Sequence, residues 1–190
     1  MAQSVAANLR SPAALARFFA VSIVGFSLDL WTKSLAVSNL KNAGPMNSIP
    51  GWIQFEYTEN HGAVFGIAQG QRWIFLLVSV GALIFLTYLF CTSGVRRFYQ
   101  FILGLLLAGV LGNLYDRIFF GYVRDMIHAL PGWHWPGWVL HVLPFLPAEV
   151  FPWIFNVADT LLCAGVGLLL IYSFIHSPPP EPKAAAEPVA

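Results

Sequence analysis

Four long apolar runs divide the chain, at about residues 15–37, 73–91, 98–115 and 151–175. A helix rising 1.5 Å per residue needs about 20 apolar residues to cross a hydrocarbon layer of roughly 30 Å, so the pattern predicts four transmembrane helices. The second run, WIFLLVSVGALIFLTYLFC, holds no charge at all. Between the runs the period changes. In WIQFEYTEN, Ile53, Phe55 and Tyr57 alternate with Gln54, Glu56 and Thr58, the spacing of a half-buried strand, and Asn60-His61-Gly62 reads as a turn. A small amphipathic β-sheet lying on the outer membrane face fits this alternation. The stretch PGWHWPGWVLHVLPFLPAEVFPW is dense in Trp and Pro, which suits the headgroup layer and predicts an interfacial cover over the site. Residues 1–176 are expected to form one membrane domain. The tail SPPPEPKAAAEPVA has too little apolar content to fold, so 177–190 is expected to be a disordered cytoplasmic extension.

Composition agrees with the pattern, since the 190 residues are 57% apolar and only 10% charged. The net charge is +1 and there is no basic block, which removes the electrostatic footprint of a nucleic-acid partner. Arg10 and Arg17 precede the first run, and the basic loop TSGVRR joins the second to the third. Both belong on the cytoplasmic side by the positive-inside rule, so both termini are expected inside and regions 38–72 and 116–150 outside. The first run is long enough to span, contains Asp29 and Lys33, and offers no small-x-small cleavage site, so it reads as a retained helix rather than a secretory signal. Cys91 and Cys163 have neither CxxC nor zinc spacing and read as inert packing thiols; no metal or cofactor is expected.

The four aspartates, Asp29, Asp116, Asp125 and Asp159, carry the candidate chemistry. If the first helix leaves the membrane near Ser38, Asp29 lies about 13 Å below that surface; if the fourth enters near Phe151, Asp159 lies about 12 Å below it. Asp116 ends the third helix on the same side and Asp125 follows in the adjoining loop. Ser22, Gly25, Asp29 and Lys33 form one small, polar stripe, and Gly104, Ala108 and Gly112 a second, as helices packed closely in a membrane require. Asn113 with Asp116, and Asn156 with Asp159, are spaced i to i+3, so each amide is expected to donate to its own neighbouring carboxylate. Asp29 with Lys33 reads as an i to i+4 ion pair, and Asp116 with Arg117 as a structural pair at a helix end. Asp125 and Asp159 have no obvious local cation except Arg124, whose side chain need not face the same way as Asp125, and ionisable groups at membrane depth are costly enough to mark functional sites.

These residues also carry a family resemblance. Asp29 with Lys33, the box Asn60-His61-Gly62-Ala63-Val64-Phe65-Gly66, the run GNLYDRIFFGYVRD at 112–125, and Phe155-Asn156-Val157-Ala158-Asp159 follow one another in the order found in the lipoprotein signal peptidases, or signal peptidase II. The resemblance covers most of residues 25 to 172. It departs at Leu30, where a polar residue is usual, at Met126, where Phe is usual, and in a longer Trp/Pro segment before Asp159. The resemblance implies a bacterial inner-membrane aspartic endopeptidase, acting as a monomer on diacylglyceryl-modified prolipoproteins and cutting before the lipidated cysteine. Asp125 and Asp159 would form its catalytic pair. Asp29, Lys33, Asn60, Gly62, Asn113, Asp116, Arg117, Asn156 and Ala158 would hold substrate or support the site. His61 and His128 are expected to play ordinary interfacial roles. The rival reading from another class is a proton-coupled carrier relaying charge through Asp29, Lys33 and Asp159; the outward bias of the acids and the uncharged second span weigh against it.

Overall fold

A computed structural model describes residues 11–62 and 71–176. The expected tail, Arg10 and the Ala63-Val64-Phe65-Gly66 part of the second box lie outside the described residues.

Helix α1 runs over Pro12–Leu40, started by Ser11, whose Oγ accepts from the Ala14 backbone N–H, and by Pro12 at the first helical position. Strands β1 (Met46–Ile49) and β2 (Ile53–Asn60) follow, then α2 (Arg72–Thr92), α3 (Arg97–Phe119), β3 (Val123–Ala129), the short α4 (Gly137–Val142), β4 (Ile154–Phe155) and α5 (Val157–Ile175). The four long helices are each apolar and long enough to cross a membrane. Large apolar side chains such as Leu77 and Phe174 stand exposed around the bundle, the surface a lipid-facing protein presents.

The last span differs from the expectation. It begins at Val157 rather than near Phe151, because Pro152 lacks an N–H, Ile154 and Phe155 pair with His128 and Ile127 of β3, and Asn156 caps the helix. Asp159 therefore stands in the first turn of α5, not two turns inside it. Asp29 nonetheless meets the start of this helix: the Ala158 backbone N–H donates to Asp29 Oδ1 at 2.8 Å.

Helix α3 is the centre of the bundle, packed against α1, α2 and α5. Phe18, Phe90, Ile102, Leu103, Leu106 and Leu107 form its main apolar cluster. The predicted small-residue stripes lie at the helix contacts, where backbones approach closely. A methyl at Gly104 would stand 3.0 Å from the Phe18 carbonyl oxygen, and one at Gly109 only 2.6 Å from that of Ala158.

The predicted sheet is present and larger than the alternation alone requires. It is antiparallel, in the order β1-β2-β3-β4. Thr58 pairs with Asp125 and Asn60 with Val123 beyond an irregularity after Phe55, which fixes the height of Asp125 against the end of β2. Phe55, Tyr57 and Ile127 pack on Ala36, Leu40 and Met126, seating the sheet over the end of α1. Met126 thus makes an apolar contact at the position where Phe is usual. The Trp/Pro segment forms α4 and a bridge between His134 and Glu149, with the ring centroids of Trp133 and Trp52 5.4 Å apart.

Candidate active site

The sheet and the ends of α3 and α5 enclose a cavity of about 880 Å³, lined in part by Asn60, Asn113, Arg117, Asp125 and Asp159. Asp125 reaches it from β3, where the side chain is 1% exposed, and Asp159 from the first turn of α5. Asp125 and Asp159 therefore face one space, and Arg124, the cation beside Asp125 in the sequence, pairs with Asp116 instead.

Each is held by asparagine amides, though not in the way the i to i+3 spacing predicts. Asn113 Nδ2 donates across to Asp159 Oδ1 at 2.8 Å, and Asp116 is not its partner. Asn156 Nδ2 donates to Asp125 Oδ1 at 2.6 Å and to Asn113 Oδ1 at 3.1 Å. Asn156 and Asp159 do meet locally, but as a helix cap: Asn156 Oδ1 accepts from the Asp159 N–H, and Asp159 Oδ2 from the Asn156 N–H. On the other flank Asn60 Nδ2 donates to Asp125 Oδ2 at 3.0 Å, its amide turned by the Gly62 N–H, which donates to Asn60 Oδ1.

Behind the cavity lies a buried ionic chain. Lys33 Nζ is 2.7 Å from Asp29 Oδ2 and 3.3 Å from Asp116 Oδ2. Arg124 grips Asp116 through its backbone N–H, Nε and Nη2. The expected Asp29–Lys33 pair is present; the expected Asp116–Arg117 pair is not, because adjacent helical residues point to different faces. Arg117 instead lines the cavity, its guanidinium 4.9 Å from the Phe75 ring centroid, with long contacts of 3.4 Å to the carbonyls of Asn113 and Gly62. Ala158 is fully buried and its methyl would meet any side chain at Gly112, as would the Asp29 carboxylate.

Burial raises Asp125 above its ordinary 3.8 to about 7, and the negative charge of Asp159 adds to the rise; hydrogen bonds from Asn60 and Asn156 and the charge of Lys33 oppose it. Asp125 is thus able to hold a proton near neutrality.

Sequence reasoning left out several lining residues. Thr160 and Cys163 follow Asp159 at one and four residues, and the helical period from that acid places Cys163 on its face. Cys91 is buried as expected, but Cys163 is exposed in the cavity wall rather than packed. Among the described residues, the wall beside β4 is made by Phe151, Pro152 and Trp153, the last residues of the Trp/Pro stretch. His61 also lines the cavity; His128 turns away, with Nε2 3.2 Å from the Phe151 carbonyl.

Four membrane-length helices closed at one end by a sheet, with paired carboxylates in the space beneath it, define a multi-pass membrane enzyme. A bacterial membrane enzyme solved by the in meso method at 2.3 Å resolution has the same fold, with a TM-score of 0.72, 28% identity, and coverage of 88% of this chain and 93% of that one. A family model described as signal peptidase (SPase) II matches residues 21–175. The lipoprotein signal peptidase of Leifsonia xyli subsp. xyli is 35% identical over 162 residues, 85% of this chain and 68% of its own. That of Halalkalibacterium halodurans is 32% identical over 155 residues, 81% of this chain and 89% of its own. The chain belongs to the signal peptidase II family and is a membrane peptidase.

Proposed function

We propose that this peptidase removes the signal peptide from diacylglyceryl-modified prolipoproteins, cutting before the lipidated cysteine, by aspartic chemistry at Asp125 and Asp159. The observation that carries the reading is the pair itself: two carboxylates from different elements face one cavity, each fixed by an asparagine amide. Two acids at close quarters share a proton and so supply an acid and a base together. Asp125, raised to about 7, holds the proton and donates to the scissile carbonyl oxygen. Asp159 takes a proton from the attacking water. Collapse of the tetrahedral intermediate then returns a proton to the leaving amine, and no acyl-enzyme forms.

Supporting roles follow from the contacts. Asn60, Asn113 and Asn156 orient the carboxylates; Gly62 sets the Asn60 amide; Asp29, Lys33 and Asp116 brace α1 against α3; Ala158 lets α5 approach both. Arg117 faces the cavity and is placed to meet a peptide carbonyl. The same cavity is apolar along Phe151, Trp153, Phe155 and Cys163, a surface suited to a lipid-bearing residue. One chain supplies both acids, so a monomer suffices. We place the sheet on the extracytoplasmic side of the inner membrane and both ends of the chain in the cytoplasm. Arg17, Arg96 and Arg97, with no acid beside them among the described residues at the end of the bundle where Arg17 donates to Gln100 Oε1, support this orientation.

The test is cleavage of a diacylated prolipoprotein by the purified protein. Asp125→Asn and Asp159→Asn are each expected to lower kcat by at least about 10³-fold while the protein stays inserted and folded. Processing at near wild-type rate by either variant would overturn the assignment.

A further inference from the structure

The ammonium of Lys33 makes a third contact that charge neutralisation does not require. Asp116 is already held by Arg124, and Asp29 by the Ala158 N–H, yet Lys33 Nζ also donates to Asn113 Oδ1 at 3.1 Å. An ammonium only donates, and an amide oxygen only accepts. Asn113 Oδ1 therefore faces two donors, Lys33 Nζ and Asn156 Nδ2, and its own Nδ2 is left pointing at Asp159 Oδ1. Turning the amide over would set its NH₂ against both donors and its oxygen against a carboxylate, three repulsive contacts at a buried residue. The Asn156 amide needs no such help, since the Asp159 backbone N–H already fixes its oxygen.

We propose that Lys33 is a positioning residue of the reaction: by locking the Asn113 amide it secures the side-chain donor on Asp159. This rests on the reading of Asp125 and Asp159 as the reacting pair. Lys33 is fully buried behind Asn113, which lines the cavity, and is not itself among the lining residues, so its effect falls on the orientation of the acid and not on substrate binding.

Two double variants separate this role from simple charge balance. Asp29→Asn with Lys33→Met and Asp29→Asn with Lys33→Gln remove the same charges and have similar volume, and Asp116 keeps Arg124 in both. Only the Gln variant retains an N–H for Asn113. With the purified proteins and a diacylated prolipoprotein peptide, the Met variant is expected to turn over about 10- to 100-fold more slowly than the Gln variant, with KM within about threefold, as a small misplacement of a reacting group produces. Equal kcat in the two, or a loss confined to KM, would overturn the proposal. If the Met variant fails to fold, Asn113→Leu removes the same donor directly, and unchanged kcat in that variant would equally overturn it. Asp159→Asn is the control: an active Asp159→Asn protein refutes the catalytic pair, whereas an inactive one beside equal Met and Gln variants refutes the role of Lys33 alone.

Discussion

At the scale of single residues, the acid most worth titrating is Asp125. Its folded value of about 7 exceeds the ordinary 3.8, so the native state binds this proton more tightly than the unfolded chain does. The stability this supplies is complete below about pH 4 and is lost as pH rises through about 7; above that, a buried carboxylate weakens the fold. Asp125→Asn keeps one accepting oxygen and cannot ionise. It is therefore expected to be more stable than the wild type at pH 8, by roughly 1–3 kcal/mol, with the advantage vanishing near pH 4. Thermal unfolding in detergent across that range measures it, and a variant less stable at pH 8 than at pH 4 relative to wild type would contradict the account. The two acids that face the cavity could be picked out in the sequence because ionisable groups beside membrane spans are rare and costly. Their partners could not. Asn113 reaches α5 and Asn156 reaches β3, and a spacing rule confined to one helix cannot see a hydrogen bond that crosses between elements.

Elements are positioned by how closely their backbones approach. Gly109 lets α3 lie against the first turn of α5, where an added methyl would stand 2.6 Å from the Ala158 carbonyl oxygen. Backbone cannot yield as a side chain can. Gly109→Ala is expected to cost about 1–3 kcal/mol by overpacking and to lower kcat as well, since the displaced turn carries Asp159. A methyl added at Gly81 on α2 would meet nothing within 4 Å, so Gly81→Ala, with its better helix propensity, should be neutral or slightly stabilising. Paired measurements of Tm and kcat check both. The four spans and the strand at Ile53–Asn60 could be read from apolar length and alternation, but the start of α5 could not. Phe151–Phe155 is as apolar as the helix after it, and only pairing with β3 and the Asn156 cap decide that it is not helical.

For the whole molecule, the sheet and the turn between α2 and α3 lie at opposite ends of the bundle, with Arg17, Arg96 and Arg97 at the second. Asn47 on β1 and Val95 in that turn are both exposed. In a background with Cys91 and Cys163 replaced by Ala, Asn47→Cys is expected to react with a membrane-impermeant maleimide on intact spheroplasts, and Val95→Cys only after lysis. The reverse pattern would invert the proposed orientation. The carrier reading finds no support at this scale either. Asp29, Lys33, Asp116 and Arg124 close on one another at the sheet end, and among the described residues α2 presents no acid or lysine that would continue a path along the bundle.

One contact ties the chemistry to the architecture. Asp159 Oδ2 accepts from the Asn156 N–H, so the oxygen that closes the cap belongs to the carboxylate proposed to take the water's proton. In that mechanism a proton arriving on Asp159 would make it a poorer acceptor and slacken the cap for as long as the intermediate lives. Each turnover would then tug at the anchorage of the final span, and the reset would be the retightening of that helical end.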